Sequence, residues 1–297
     1  MIKPQNLVAG SKIAIISPSG AVNPVFVESA IEMLRKKGYD PIAYPSCFNK
    51  HFQLGGTDEE RLADLQNALD DISIDAILCS RGGYGAIKLI DKIDFSGFIK
   101  KPKWFIGFSD ITTFHIALNN LGVMSLHSQM TKDMHENPES DAVQNIYKIL
   151  RGELPETTCE SHEFNKTGIA EGELVGGNLS IIYSLQGTKF EINTDGKILF
   201  IEDLNEYLYH LDRMMISLKM AGKLKNLKGL IAGAFTDMKD NPNPFGKTPY
   251  EIISAHIAEY DFPVCYNFPV GHIDNNMPLI CGGRYRLEVG ESGVRLG

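Results

Sequence analysis

Three stretches of this chain combine residue types and spacings that could support acyl transfer. In Trp104 to Thr112, Trp-Phe-Ile-Gly-Phe-Ser-Asp-Ile-Thr, an apolar strand runs into a serine at a tight turn before a helix. Such a turn exposes the Ser109 hydroxyl, and the N–H groups that open the helix, Asp110 first among them, can hold an oxyanion. Gly107 lets the backbone turn sharply just before. The pattern departs from Gly-x-Ser-x-Gly at Ile111, and Ser-Asp ahead of a helix is also an ordinary N-cap, so both roles stay open for Ser109. A nucleophilic serine needs a base and an acid to orient it. His272 follows Gly271 in a turn and precedes Asp274-Asn275-Asn276, so it projects from a loop, where catalytic groups are commonly mounted. His127, before Ser128-Gln129, competes for the same role. Glu202 ends the apolar run Leu199-Phe200-Ile201 in a cluster with Asp203, Glu206 and Asp212. It is either a solvated strand end or helix cap, or the group that fixes an imidazole tautomer. Asp212-Arg213 reads as a structural ion pair.

A fourth stretch, Ser80-Arg81-Gly82-Gly83-Tyr84-Gly85, follows a predicted strand and opens a predicted helix. It shares with Ser109 the carboxyl edge of one sheet, where open α/β sheets bind ligands. It lacks the Lys-Ser/Thr ending of a P-loop and the spacing of a dinucleotide fingerprint. Gly83 could instead bring a backbone N–H to a tetrahedral oxyanion, and Arg81 could take a substrate carboxylate. A plain glycine turn with a solvated arginine is the competing reading.

These residues need a scaffold, and the flanking pattern supplies one. From Lys12 to about Leu150 short β-rich runs alternate with amphipathic stretches, which predicts a parallel sheet covered by helices, a doubly wound half. Strands are expected at Lys12–Ser17, Tyr39–Tyr44, Asp75–Cys79 and Trp104–Gly107, with helices at 24–37, 59–69 and 85–93. Between about Arg151 and Lys166 glycine, proline, threonines and glutamates replace the apolar periodicity. The expected organisation is an N-terminal domain over 1–152, a linker over 153–166 and a C-terminal domain over 167–297. The last is read as β-rich, a mixed sheet or small barrel, with strands near 168–175, 197–201, 230–233, 284–289 and 293–296 and a helix over 207–220. Asp240 to Gly246 is read as a surface loop.

Composition narrows the partners. The 297 residues are 43% hydrophobic, enough for real cores. A formal charge of -8 argues against a nucleic-acid backbone as partner. Five scattered cysteines, Cys47, Cys79, Cys159, Cys265 and Cys281, form no CxxC pair and suit a reducing compartment. The N-terminus has no secretory h-region, and no run approaches the roughly 18 to 20 apolar residues that span a bilayer, so a cytoplasmic protein with no membrane partner is expected.

Taken together, the chain resembles the LD-carboxypeptidases, serine peptidases that include the microcin-immunity hydrolases. The resemblance runs over nearly the whole chain and rests on Ser17-Pro18-Ser19-Gly20, Ser80-Arg81-Gly82-Gly83-Tyr84-Gly85, Gly107-Phe108-Ser109-Asp110-Ile111-Thr112, Gly176-Gly177-Asn178-Leu179, Phe200-Ile201-Glu202-Asp203, Asp212-Arg213 and Gly271-His272. It implies an α/β fold: an N-terminal, mostly parallel sheet similar to class I glutamine amidotransferases and a β-rich, mixed α/β C-terminal domain. It implies a triad of Ser109 as nucleophile, His272 as base and Glu202 as its orienting acid, with an oxyanion hole from the N–H groups of Gly83 and Asp110. Arg81, Gly82 and Asn178 are the substrate-binding residues it suggests. The implied reaction is removal of the terminal D-alanine from murein tetrapeptide in peptidoglycan recycling, by a homodimer without metal or cofactor. Two other readings are weighed. One is hydrolysis of microcin-like aminoacyl-nucleotide amides, although the only tryptophan, Trp104, lies in a strand rather than on a stacking surface. The other is a non-catalytic small-molecule binder on the same scaffold. A cysteine-dependent amidotransferase is excluded, because the elbow carries serine.

Overall fold

In the computed structural model, which describes residues 1–297, the chain divides into two units, residues 1–154 with 277–281 and residues 155–276 with 282–297. The first unit is built on runs such as Lys-Ile-Ala-Ile-Ile and Ala-Ile-Leu-Cys, whose β-branched side chains favour a pleat and whose near-complete burial requires cover on both faces. They form the parallel strands β1 (Lys12–Ile16), β2 (Asp40–Ala43), β3 (Ala76–Cys79), β4 (Trp104–Gly107) and β5 (Ser125–His127). The parallel order is β2-β1-β3-β4-β5, so the winding reverses between β1 and β3. Ligands of such sheets bind at the carboxyl ends near that reversal, which is where the turns after β1, β3 and β4 emerge. The expected doubly wound, mostly parallel sheet is therefore present.

Its helices are α1 (Pro24–Lys36), α2 (Asp58–Asp70), α3 (Ser96–Lys100), α4 (Thr112–Asn120), α5 (Thr131–Glu136) and α6 (Asp141–Leu150). α1 begins where Asn23 caps and Pro24 needs no donor. α2 begins in a capping box, Thr57 with Glu60. It ends on a buried ammonium, because Lys103 Nζ donates to the carbonyls of Ala68, Leu69 and Asp71 at 3.0, 3.0 and 2.7 Å. The helix expected over 85–93 is instead two 3₁₀ turns, Ala86–Lys88 and Ile90–Lys92. Gly85 and β-branched Ile87, Ile90 and Ile93 give that stretch poor α propensity.

The second unit is an open, seven-stranded mixed sheet, not a barrel. Its strands are β6 (Thr157–Cys159), β7 (Gly168–Asn178), β8 (Ile198–Leu204), β9 (Gly229–Thr236), β10 (Val264–Cys265), β12 (Arg284–Val289) and β13 (Val294–Leu296), in the order β10-β9-β8-β7-β12-β13-β6. β7 to β10 are parallel, while β12, β13 and β6 run antiparallel beyond β7. Helices α7 (Leu179–Ser184), α8 (Leu208–Met220) and α9 (Pro249–Ile257) complete it. Asp212 accepts from His256 Nε2 at 2.7 Å, tying α8 to α9; it does not pair with Arg213, since adjacent residues on a helix do not face each other.

Two stretches depart from the expected boundaries. Thr157–Cys159, inside the stretch read as a linker, pairs with β13. The strand β11 (Leu279–Cys281) leaves the second half of the chain to pair antiparallel with β5 in the first unit. No helix is long and apolar enough to cross a membrane.

Candidate active site

The first group of residues grows from the end of β4. Ser109 has φ +66°, the left-handed region that a residue with a Cβ enters only under constraint. The turn it begins, Ser109–Ile111, and the helix α4 that follows have no side-chain cap, so the capping role gives way to the strained elbow. Two glycines make that backbone reachable. A Cβ on Gly107 would lie 3.1–3.2 Å from Ile111 and Cys79 carbons. One on Gly82 would lie 2.8 Å from Ser109 Cβ and 3.0 Å from its Oγ, so the glycine loop after β3 packs directly on the serine.

Beneath the elbow, the Gly107 carbonyl accepts from Ser128 N–H at 3.1 Å and from His115 Nε2 at 2.8 Å. His115 Nδ1 is 2.8 Å from Ser125 Oγ. Burial pushes His115 down to about 4, so the ring is neutral, with Nε2–H donating and Nδ1 accepting from the hydroxyl. The Asp110 side chain turns inward and accepts the Ala86 N–H at 2.8 Å. Burial raises its pKa, against the pull of that N–H and of the Arg61 charge. Arg81 is exposed and donates to Ala21 O at 2.6 Å. His127, the competing base, is fully buried with its ring edge-on to Phe108.

The second group of residues grows from the end of β8. Between Ile201 and Asp203 the register with β9 advances from Ala232 to Phe235, so β9 carries one extra residue opposite Glu202. Around that bulge Phe268 N–H donates to Ala232 O at 3.2 Å and Ala234 N–H to Val270 O at 2.8 Å. The chain leading to His272 is thereby laid alongside β9 and delivered onto Glu202. Gly271, φ +120°, sits so close that a Cβ there would lie 2.8 Å from Glu202 Cβ. His272 Nδ1 is 2.7 Å from Glu202 Oε2, with the glutamate fully buried and the imidazole 16% exposed. This contact makes Nδ1 the donor and leaves Nε2 as the basic nitrogen. Asn276, also fully buried, closes the loop by accepting the Gly271 N–H at 2.8 Å.

Asp203 lies beside this pair and is equally buried. It accepts from Asn178 Nδ2, Ser180 N–H and Leu204 N–H, each at 2.9 Å. Burial and the neighbouring Glu202 push its carboxyl up to about 7. Asn178 Oδ1 meanwhile accepts from Ser180 Oγ at 2.6 Å and from Ile181 N–H, capping α7. Its amide thus braces the acidic end of β8.

Ser109, Gly82, Gly83, Arg81 and Asp110 accordingly belong to the first unit, and Glu202, His272 and Asn178 to the second. Sequence reasoning missed the supports: His115, Asp203 as an acceptor, and Asn276. For His115 a signal existed, a histidine inside an otherwise apolar helical run.

Comparison with known proteins bears on these halves separately. Residues 13–128 match the LD-carboxypeptidase N-terminal domain and residues 171–287 the LD-carboxypeptidase C-terminal domain. A Bacillus subtilis protein named "Probable murein peptide carboxypeptidase" is 34% identical over 294 residues, covering 97% of this chain and 92% of that protein. The murein tetrapeptide carboxypeptidase of Pseudomonas aeruginosa is 28% identical over 275 residues, covering 88% of each. A crystal structure of muramoyltetrapeptide carboxypeptidase from Oxalobacter formigenes superposes with a TM-score of 0.86 at 30% identity, over 96% of this chain and 98% of that one. The chain belongs to the LD-carboxypeptidase family and is a serine-type carboxypeptidase, a hydrolase.

Proposed function

We propose that this carboxypeptidase removes the terminal D-alanine from murein tetrapeptide, with Ser109, His272 and Glu202 as its triad. In this reading residues 1–152 carry the nucleophile, 167–297 carry the acid–base pair, and the active protein is a cytoplasmic homodimer. His272 Nε2 takes the Ser109 proton while Oγ attacks the carbonyl carbon of the L,D bond. The N–H groups of Gly83 and Asp110 hold the oxyanion. His272 then gives the proton to the leaving amine of D-alanine, and the C–N bond breaks. Water attacks the resulting ester, His272 takes its proton, and the shortened peptide leaves with Ser109 restored. Glu202 holds the tautomer and balances the imidazolium.

The observation that carries this reading is the 2.7 Å contact between His272 Nδ1 and the fully buried Glu202, a charge placed where its partner is the imidazole. The names of the Pseudomonas aeruginosa and Oxalobacter formigenes relatives support the substrate class. Arg81, fixed through Ala21, presents the rest of its fork to the carboxylate of the D-residue. Gly82 gives the bound peptide room beside Ser109, and Asn178 acts by bracing Asp203.

The test is D-alanine release, read by mass spectrometry, from L-Ala-γ-D-Glu-meso-diaminopimelate-D-Ala, with an all-L peptide and Ser109→Ala alongside. Release from the tetrapeptide alone, lost in the variant, is the expected result. No release from folded protein, with cleavage of an aminoacyl-nucleotide amide instead, would replace the substrate. Inactivity on both would leave a binding protein.

A further inference from the structure

Arg61 is a cation on the buried stripe of α2, in line with Leu65, Ala68 and Leu69, and it is fully buried. An arginine taken out of water this completely is costly unless its donors are used. Here the two terminal nitrogens are used, on two backbone carbonyls and one carboxylate, while Nε is buried without a partner. Arg61 Nη1 donates to the carbonyl of Pro18 and, at 3.2 Å, to that of Gly85, while Nη2 meets Asp58 Oδ1 at 2.5 Å.

The Pro18 carbonyl lies in the turn after β1, and that of Gly85 ends the glycine loop after β3. The Gly85–Ala86 peptide is gripped at its two ends: its C=O by Arg61, and its N–H by the Asp110 carboxylate at 2.8 Å. At the other end of the loop, two residues beyond Pro18, Gly20 N–H donates to Gly82 O at 2.9 Å. A trans peptide sets C=O and N–H in opposite directions, so holding the Gly82 carbonyl fixes where the Gly83 N–H points. A Cβ on Gly85 would lie 2.8 Å from Arg61 Nη1, and one on Gly20 2.8 Å from Gly82 O, so the loop is glycine where these contacts are made.

We propose that Arg61 is a positioning residue for catalysis, which sets the oxyanion donor of Gly83 by clamping the turns after β1 and β3 at once. This rests on the reading of Ser109 as nucleophile and Gly83 N–H as oxyanion donor. A donor that must meet charge only in the transition state shows its misplacement in kcat rather than in KM.

The experiment compares Arg61→Lys and Asp58→Asn with wild type and Ser109→Ala, measuring kcat and KM for D-alanine release, labelling by a serine-directed fluorophosphonate, and melting temperature. Arg61→Lys keeps the charge but loses the fork. Its kcat should fall by roughly 10- to 100-fold with KM within about twofold, since an ångström of misplacement can cost about 100-fold. Asp58→Asn, a milder change at a partly exposed carboxylate, should lower kcat by a few-fold in the same manner. Label uptake should slow in parallel. A variant that melts earlier but turns over at the wild-type kcat per folded molecule would reduce Arg61 to a structural role and overturn the proposal. Should Ser109→Ala retain turnover and label, the nucleophile assignment itself fails, a result distinct from normal kcat in the arginine variant.

Discussion

Ser109 is held by its own backbone, at φ +66° with Gly82 packed on its side chain, whereas His272 is held by another side chain, the buried Glu202 carboxylate 2.7 Å away. The first arrangement depends on atoms that must be absent, the Cβ atoms of Gly82 and Gly107. The second depends on a charge that must be present, with Asp203, Asn178 and Asn276 packed round it to keep strand end and loop in place. The surroundings of Ser109 should therefore be intolerant of added carbon, and the His272–Glu202 pair intolerant of lost charge.

The sharpest way to break this contrast is Glu202→Gln. Shape is conserved but the amide cannot hold His272 in the required tautomer or balance its charge, so kcat should fall by about 10⁴-fold with the fold retained. Steady-state release kinetics with a circular dichroism melt would decide it, and near-normal kcat would show that position rather than charge is what Glu202 supplies. A paired comparison comes next. Gly82→Ala should cost about 100-fold in kcat, because Ser109 is constrained on both sides and cannot yield. Gly271→Ala should cost about tenfold, as the loop up to Asn276 can give a little. If Gly271→Ala proved the more damaging, the dyad and not the elbow would be the rigid half. The smallest effect concerns stability alone. His115 is neutral when folded, with its pKa lowered to about 4, so its contribution is present above the ordinary histidine pKa near 6.5 and is lost as pH falls from there through 4. Urea titrations should show wild type losing on the order of 3 kcal/mol more than His115→Gln across that window, the titrations common to both proteins cancelling in the difference. Equal slopes would mean the Gly107 carbonyl is not supported by a neutral imidazole.

How much of this was legible beforehand follows the range of the interaction. β1, β3 and β4 announce themselves as apolar runs, and the elbow at Ser109 as a serine between such a run and a helix, because both signals are local. The 3₁₀ turns at 86–92 do not separate from a longer helix by pattern, since Ala86, Leu89, Ile90 and Ile93 are spaced three and four apart and a spacing of three suits either helix. The contact of Glu202 with His272 links residues 70 positions apart, and no spacing announces it. The bulge in β9 that makes it possible is a matter of register, settled by packing on both neighbours. Arg61 was not singled out in the sequence, because the carbonyls it holds lie on two other turns.

Strand β11 has a consequence for how the molecule is made. The free side of β5, residues 125–127, finds its partner only at residues 279–281. On a ribosome β5 therefore stays an edge strand until residues 279–281 have emerged. An exposed edge strand of that kind invites pairing with another nascent chain. Neither unit can be released by a single cut between 154 and 155, so a clone of the first half alone lacks the edge strand that pairs with β5.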